Sequence, residues 1–314
     1  MLHLRVICPP AVTDDVVGVL TEHPGAAHLV RLHGAAIVPP GDVVEADVAR
    51  EAADELISVL CDLGIDHSGG ITLEQIDTAL SDAADQAEEE APGDAADALV
   101  WEELLVRTGE ESRLTVTFLA FLSIACLLAA VGVITNSPVT IVGAMVVGPE
   151  FGPLAAVAVG LVRRRWDLLR RAVTVLAVGF PAAMAITALG TIVGNATGMF
   201  DANVLLKGHE DVDFVYVVGP WSLVVALLAG AAGMLSMTSA KSAVLVGVFI
   251  SVTTVPAAGY ASVAAILGQW DRFGGSVGQL AVNLVGIVLA AAAVLVLRRE
   301  TWTTRDAGRP LSSG

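Results

Sequence analysis

Cysteine is scarce in this 314-residue chain: there are three, Cys8, Cys61 and Cys126, and no CxxC pair. That usage excludes a disulfide framework and the common zinc ligand sets, and it predicts buried free thiols in a reducing compartment. Basic residues are almost missing from the first 113 positions, where 5 Lys plus Arg stand against 24 Asp plus Glu, a net charge of −19. So acidic a stretch excludes a nucleic-acid footprint and excludes docking on anionic lipid through that surface. The catalytic signatures HExxH, P-loop, GxSxG and paired membrane-protease aspartates are absent, so no enzyme and no cofactor are expected. His3, His23, His28, His33 and His67 are scattered, with no carboxylate or cysteine at ligand spacing, and no metal site is expected. The opening MLHLRVICPP has no basic segment ahead of a long apolar one, so no signal peptide is expected.

What is present falls into unlike halves. Residues 114–314 hold 12 basic and 9 acidic residues and are strongly apolar between short charged clusters. Four segments are expected: a cytoplasmic domain over 1–76, an acidic helical connector over 77–113, a transmembrane domain over 114–299 and a cytoplasmic tail over 300–314.

Alternation in LHLRVI (Leu2–Ile7), AHLVRLHG, VVEADVA and SGGITLEQI predicts four strands. Helical spacing predicts a helix over Thr13–His23 and another over Arg50–Leu63, stopped by Gly64. Pro39-Pro40-Gly41-Asp42 reads as a turn. The order β-α-β-β-α-β predicts a ferredoxin-like or ACT-like α+β domain, a fold that hosts many functions. The connector reads as two helical pieces broken at Pro92-Gly93.

Six runs are long enough to cross a membrane, near residues 114–134, 138–162, 172–193, 221–240, 242–267 and 278–297. Arg163, Arg164, Arg165, Arg170, Arg171, Lys241, Arg298 and Arg299 all fall on one side of a six-span arrangement. The positive-inside rule then predicts a multi-pass protein of the cell membrane with both termini cytoplasmic. Trp166, Trp221, Trp270 and Trp302 fall at predicted interfaces.

Span two carries its only charge, Glu150, about twelve residues from either end, near the predicted bilayer midplane. Helix breakers flank it: Gly148, Pro149, Gly152 and Pro153. Span five has a weaker counterpart in Ser251, Thr253, Thr254, Pro256 and Gly259. Interrupted segments at matching places in oppositely oriented halves point to an inverted 3+3 repeat with a binding site between the breaks. Freed backbone groups and a carboxylate at depth both need protein or water around them. The expected substrate- or ion-binding residues are therefore Glu150, Gly148, Ser251, Thr253 and Thr254. The breaks are expected at Pro149, Gly152, Pro153, Pro256 and Gly259.

The run NSPVTIVGAMVVGPEFGPLAAVAVGLVRRRW, followed by Arg170-Arg171, resembles the bacterial membrane family catalogued as domain of unknown function 389. So do GDVVEADVAREAAD and SDAADQAEEEAPGDAADALVWEE. The resemblance covers nearly the whole chain, and its most specific part is GAM-x-x-x-P-x-x-x-P, ending on Pro149 and Pro153. It implies a multi-spanning membrane protein of unassigned function. It also implies a small or apolar residue in many relatives where this chain has Glu150.

The expected function is a secondary transporter or channel-like permease for a small solute or ion, regulated by the cytoplasmic domain. The alternative is a membrane-anchored small-ligand sensor or scaffold. The lipid bilayer is the expected partner, no nucleic acid is expected, and the small residues of AGAAGM and GTIVG suit close helix contacts in a homo-oligomer.

Overall fold

The computed structural model describes residues 1–76, 78–91, 99–201, 205, 212, 215, 217–239 and 253–306, with side chains described as far as 298. The chain divides into two compact units, Met1–Leu104 and Leu105–Gly314.

In the first unit the strands are β1 (Leu2–Cys8), β2 (Ala26–Ile37), β3 (Pro40–Val48) and β4 (Gly70–Gln75). They form one antiparallel sheet in the order β2-β3-β1-β4. Helices α1 (Thr13–Glu22) and α2 (Arg50–Asp62) follow β1 and β3, giving the β-α-β-β-α-β order read from the sequence. Two-residue alternation puts Leu2, Leu4, Val6 and Cys8 on the buried face of β1. Val16 and Leu20 of α1 and Leu56 and Leu60 of α2 pack against that face. Each such side chain contributes about 1.5–3 kcal/mol. Gly64 ends α2 in the left-handed conformation (φ 74°), as expected. A single further turn, α3 (Ile65–Ser68), was not legible.

One turn assignment is corrected. Pro40, Gly41 and Asp42 open β3, and the hairpin turns on Val38-Pro39. The Asp42 side chain caps the hairpin from within the sheet, accepting from the Gly34 amide at 2.8 Å and from Arg31 at 3.3 Å. Gly34 sits at φ 61°, a value that favours glycine. His3 and His28 also have a carboxylate neighbour that sequence spacing hid: each Nδ1 lies against Asp47, at 2.9 and 2.8 Å.

Helix α4 is Asp82–Glu90 and helix α5 is Trp101–Glu111, and the Pro92-Gly93 break lies outside the described residues. Val100 joins Leu2, Ala53 and Ile57 in the core of the first unit. The Trp101 amide donates to Asp54 at 3.0 Å, and Arg50 pairs with Glu103 at 2.9 Å.

The second unit is helical. Four described helices are long and apolar enough to cross a membrane: α6 (Val116–Ile134), α9 (Trp166–Ala196), α10 (Pro220–Thr238) and the first 29 residues of α12 (Trp270–Asp306). The pair α7 (Pro138–Val147) and α8 (Phe151–Val162) meets the same test together, bent by 53° at the break. That makes up to five candidate spans. Of the predicted fifth run, only the part containing α11 (Thr254–Ile266) is described; Lys241, Ser251 and the rest of residues 240–252 lie outside. Helix α9 starts six residues earlier than expected and takes Arg170 and Arg171 into its first turns. Trp166, Trp221 and Trp270 stand at or next to helix starts and are largely exposed.

The two short helices are the best-shielded elements. Residues 151–160 of α8 and 254–264 of α11 are buried without interruption. A helix apolar all round belongs in the interior of a bundle. Helix α11 packs on α6, α7, α9 and α12, and α8 packs on α9 and α12.

Asp42 yields a prediction for the first unit. The Gly34 amide, with Thr13, Arg31 and His33 beside it, holds this carboxyl below the usual range against the opposing effect of burial. A depressed folded-state value means the stabilisation is complete above the unfolded value, about 3.9, and is lost as pH falls through the folded one. Amide exchange at Gly34 should therefore accelerate on acidification below about pH 4. In Asp42→Asn it should be fast throughout. Slow exchange in that variant would remove Asp42 as the cap.

Candidate functional site

The break in span two follows from local chemistry. Ser137 caps α7, accepting from the Thr140 amide at 3.3 Å, and Pro138 takes the first helical position, where its missing N–H is no loss. Gly148 leaves the helix at φ −64°, ψ 128°. A residue before proline is driven to that extended region, and Pro149 has no N–H to return to a carbonyl of α7. The next helix starts at once: Leu154 donates to the Glu150 carbonyl at 3.2 Å, which makes Glu150 the N-cap residue of α8.

The Glu150 carboxyl is 5% exposed. It folds back over Gly148, with Oε2 in the space a β-carbon there would need, so a larger residue at 148 would displace the carboxyl. Its Oε1 accepts from Thr254 Oγ1 at 2.5 Å. Thr254 is the first residue of α11, so this one bond joins the starts of α8 and α11. Thr253, the N-cap residue of α11, accepts through Oγ1 from Asn283 Nδ2 at 2.7 Å and from Gln279 Nε2 at 3.4 Å. Gln279 also donates to Asn283 Oδ1 at 3.4 Å. Both lie on one face of α12 four residues apart, with Ser276 one turn before. All three are buried. Glu150 Oε2, Gln279 Oε1 and Ser276 Oγ are buried without a hydrogen-bond partner among the described residues.

Of the expected binding residues, the structure brings Glu150, Gly148, Thr253 and Thr254 together, while Ser251 lies outside the described residues. The break residues need correction. Among the described residues, the bent break between two apolar helices lies at Gly148-Pro149. Gly152 and Pro153 sit in the first turn of α8, and Pro256 sits in the first turn of α11. The first amides of a helix have no internal acceptor, so a proline there starts the helix rather than kinking it. Gly259 lies inside α11, where a β-carbon would come within 2.7 Å of Ala129 Cβ and 2.8 Å of the Cys126 carbonyl oxygen. It permits close contact with α6 and breaks nothing.

Gln279, Asn283 and Ser276 escaped the reading of the sequence, although SVGQLAVN places three polar residues on one face of an apolar helix. Glu111 escaped it as well. At the end of α5 its carboxylate fills the place of a β-carbon at Gly152, two residues beyond Glu150. Neighbouring Thr108 and Ser112 are fully buried. Burial raises the Glu111 carboxyl above its ordinary value, and Arg107, donating at 3.4 Å, offsets this only in part.

Two comparisons bear on this arrangement. Residues 145–289 match the family described as "Domain of unknown function (DUF389)", a stretch from the end of α7 to the middle of α12 that contains the whole cluster. The resemblance read from the sequence is borne out over that segment. An uncharacterized protein of Methanocaldococcus jannaschii is 22% identical over 207 residues, covering 66% of this chain and 62% of its own length. The chain thus spans less than two thirds of that relative. No solved structure matches.

The bond between the two breaks gives a direct test. Thr254→Val should leave a second carboxyl oxygen of Glu150 unsatisfied, at about 1–3 kcal/mol, and lower the Tm of the detergent-solubilised chain. Thr254→Ser should keep the wild-type Tm. If the valine variant melts with wild type, the bond has no weight. Gly259→Val should destabilise by about 1–3 kcal/mol through overpacking against α6, read by the same melt.

Proposed function

From a chain whose residues 145–289 match the DUF389 family, we propose a secondary transporter or channel-like permease for a small solute or ion. Its site lies where the interrupted segments meet, and the acidic N-terminal domain regulates it from the cytoplasm. The observation that carries this reading is the Thr254–Glu150 bond between the starts of α8 and α11. A carboxylate and free helix ends at the core of an apolar bundle have no packing role that a leucine would not fill better.

The inverted 3+3 repeat draws support from matched elements. Helices α6 and α10 are both 19 residues long and start 104 positions apart, at Val116 and Pro220. Helices α8 and α11 each carry proline at their third position. Arg163 and Arg165 close the end of α8 on Val159 and Gly160; Leu267 and Gln269 close the end of α11 on Val263 and Ala264. Arg164 (φ 55°) and Gly268 (φ 72°) turn the chain alike, and α9 and α12 both open on Trp-Asp. On this reading the chain spans the membrane six times, with span five completed by residues before Thr253. Its arginine clusters keep both termini in the cytoplasm. The small-residue faces pair copies into a homo-oligomer.

Regulation would act through the end of α5, where Glu111 lies on Gly152. Whatever moves α5 moves a carboxylate at the start of α8.

Flux into proteoliposomes across a panel of small ions and metabolites tests the reading. Glu150→Gln should lower the flux of the transported species about tenfold or more. No flux for any species, from folded and inserted protein, would overturn transport in favour of a membrane-anchored sensor. Glu111 adds a pH dependence. Its raised value means that α5 packs on α8 best at low pH and loosens as pH rises through it. Amide exchange in α5 should increase over that interval in wild type and be pH-independent, beyond intrinsic exchange, in Glu111→Gln.

A further inference from the structure

We propose that the cluster at the break binds a monovalent alkali-metal cation, with Glu150 Oε2 and Gln279 Oε1 as ligands and Thr253 and Asn283 as positioning residues. This rests on the reading of the cluster as a binding site and names what it takes.

The argument starts from which atoms lack partners. Two of the three unpartnered buried atoms in the cluster, Glu150 Oε2 and Gln279 Oε1, are acceptors only, and the third is the Ser276 hydroxyl. The amide nitrogens of Gln279 and Asn283 are engaged on Thr253, and the Thr254 hydroxyl is engaged on Glu150. A ligand that satisfies this cluster must therefore bring positive charge or donors. Buried oxygens without partners in a folded protein call for an ion or water.

Charge narrows the class. Among the described residues, no arginine, lysine or histidine forms an ion pair with Glu150. The described arginines of the second unit fall in α5 (Arg107), between helices (Arg113, Arg163, Arg164, Arg165), in the first turns of α9 and α12 (Arg170, Arg171, Arg272) or, for Arg298, beside the Thr238 carbonyl. One carboxylate with neutral oxygens is balanced by one positive charge. A calcium-type site would use several carboxylates, and transition metals would use imidazole or thiolate.

Helix ends decide between cation and anion. The N-termini of α8 and α11 favour negative charge, and Glu150 itself supplies it. Helix α7 presents the opposite pole. It ends at Val147 with no backbone N–H returned by its C-cap residue Gly148, and Pro149 has none to give. Its last carbonyls face the break as a cation-favouring end. A second anion would confront Glu150; a cation would complete it.

The experiment uses the full chain in detergent, melted by intrinsic tryptophan fluorescence while LiCl, NaCl or KCl replaces choline chloride at constant ionic strength and fixed pH. A saturable rise in Tm with at least one alkali cation and none with choline is expected. Glu150→Gln should abolish the rise, and Gln279→Leu should weaken the apparent affinity about tenfold. If Glu150→Gln does not fold, Gln279→Leu and equilibrium binding of radioactive sodium to wild type carry the test. Equal Tm in choline and all three alkali salts, without sodium binding, overturns the proposal. So does an undiminished cation response in folded Glu150→Gln, or a response that follows pH alone. Cation binding without flux would leave this inference standing and take down the transport reading. Flux without cation binding or dependence would do the reverse.

Discussion

A backbone interrupted inside an apolar bundle must have its freed groups met by protein, ion or water. In this chain that requirement falls on the short path Gly148-Pro149-Glu150, and the rest of the second unit is organised around it. Helix α8 starts directly after α7 stops, and Glu150 turns back over a glycine at that point. Helix α11 can bring its own exposed start to the same place because Thr254 donates to that carboxyl. The two short helices then become the interior, and α6, α9 and α12 pack around them.

The corrected roles of the prolines follow from the same requirement. A proline in the middle of a long helix would remove a hydrogen bond and clash with the preceding turn, by about 3 kcal/mol or more. Pro153 and Pro256 avoid this by standing in the first turn, where no internal acceptor exists. They stiffen the helix starts and leave fewer donors to satisfy at depth. Gly259, inside α11, serves the opposite need: it lets α11 approach the α6 backbone at Cys126 closely enough to exclude solvent.

Much of this was legible because the signals are local. Two-residue alternation marks β1, glycine marks the end of α2, and Gly-Pro followed by a lone carboxylate marks the broken span. Sequence reading also set Thr254 opposite Glu150, and its hydroxyl donates to that carboxyl. What escaped is what depends on packing. Gln279 and Asn283 look like ordinary tolerated polar residues until α12 is laid against the start of α11. Glu111 looks like one more acid in an acidic connector; only its position against Gly152 sets it apart. The hairpin was misread because Pro-Gly-Asp is a strong turn signal. Asp42 prevailed by bonding back to Gly34, so that these residues open a strand instead.

The two carboxylates near the start of α8 differ in what they can do. Glu150 is enclosed, held by a hydroxyl from α11, and part of a network that continues into α12 through Thr253. Any change in its charge is felt by the starts of α8 and α11 together. Glu111 is half-buried, tempered by Arg107, and stands at the end of α5. A shift in its charge alters one contact at the edge of α8.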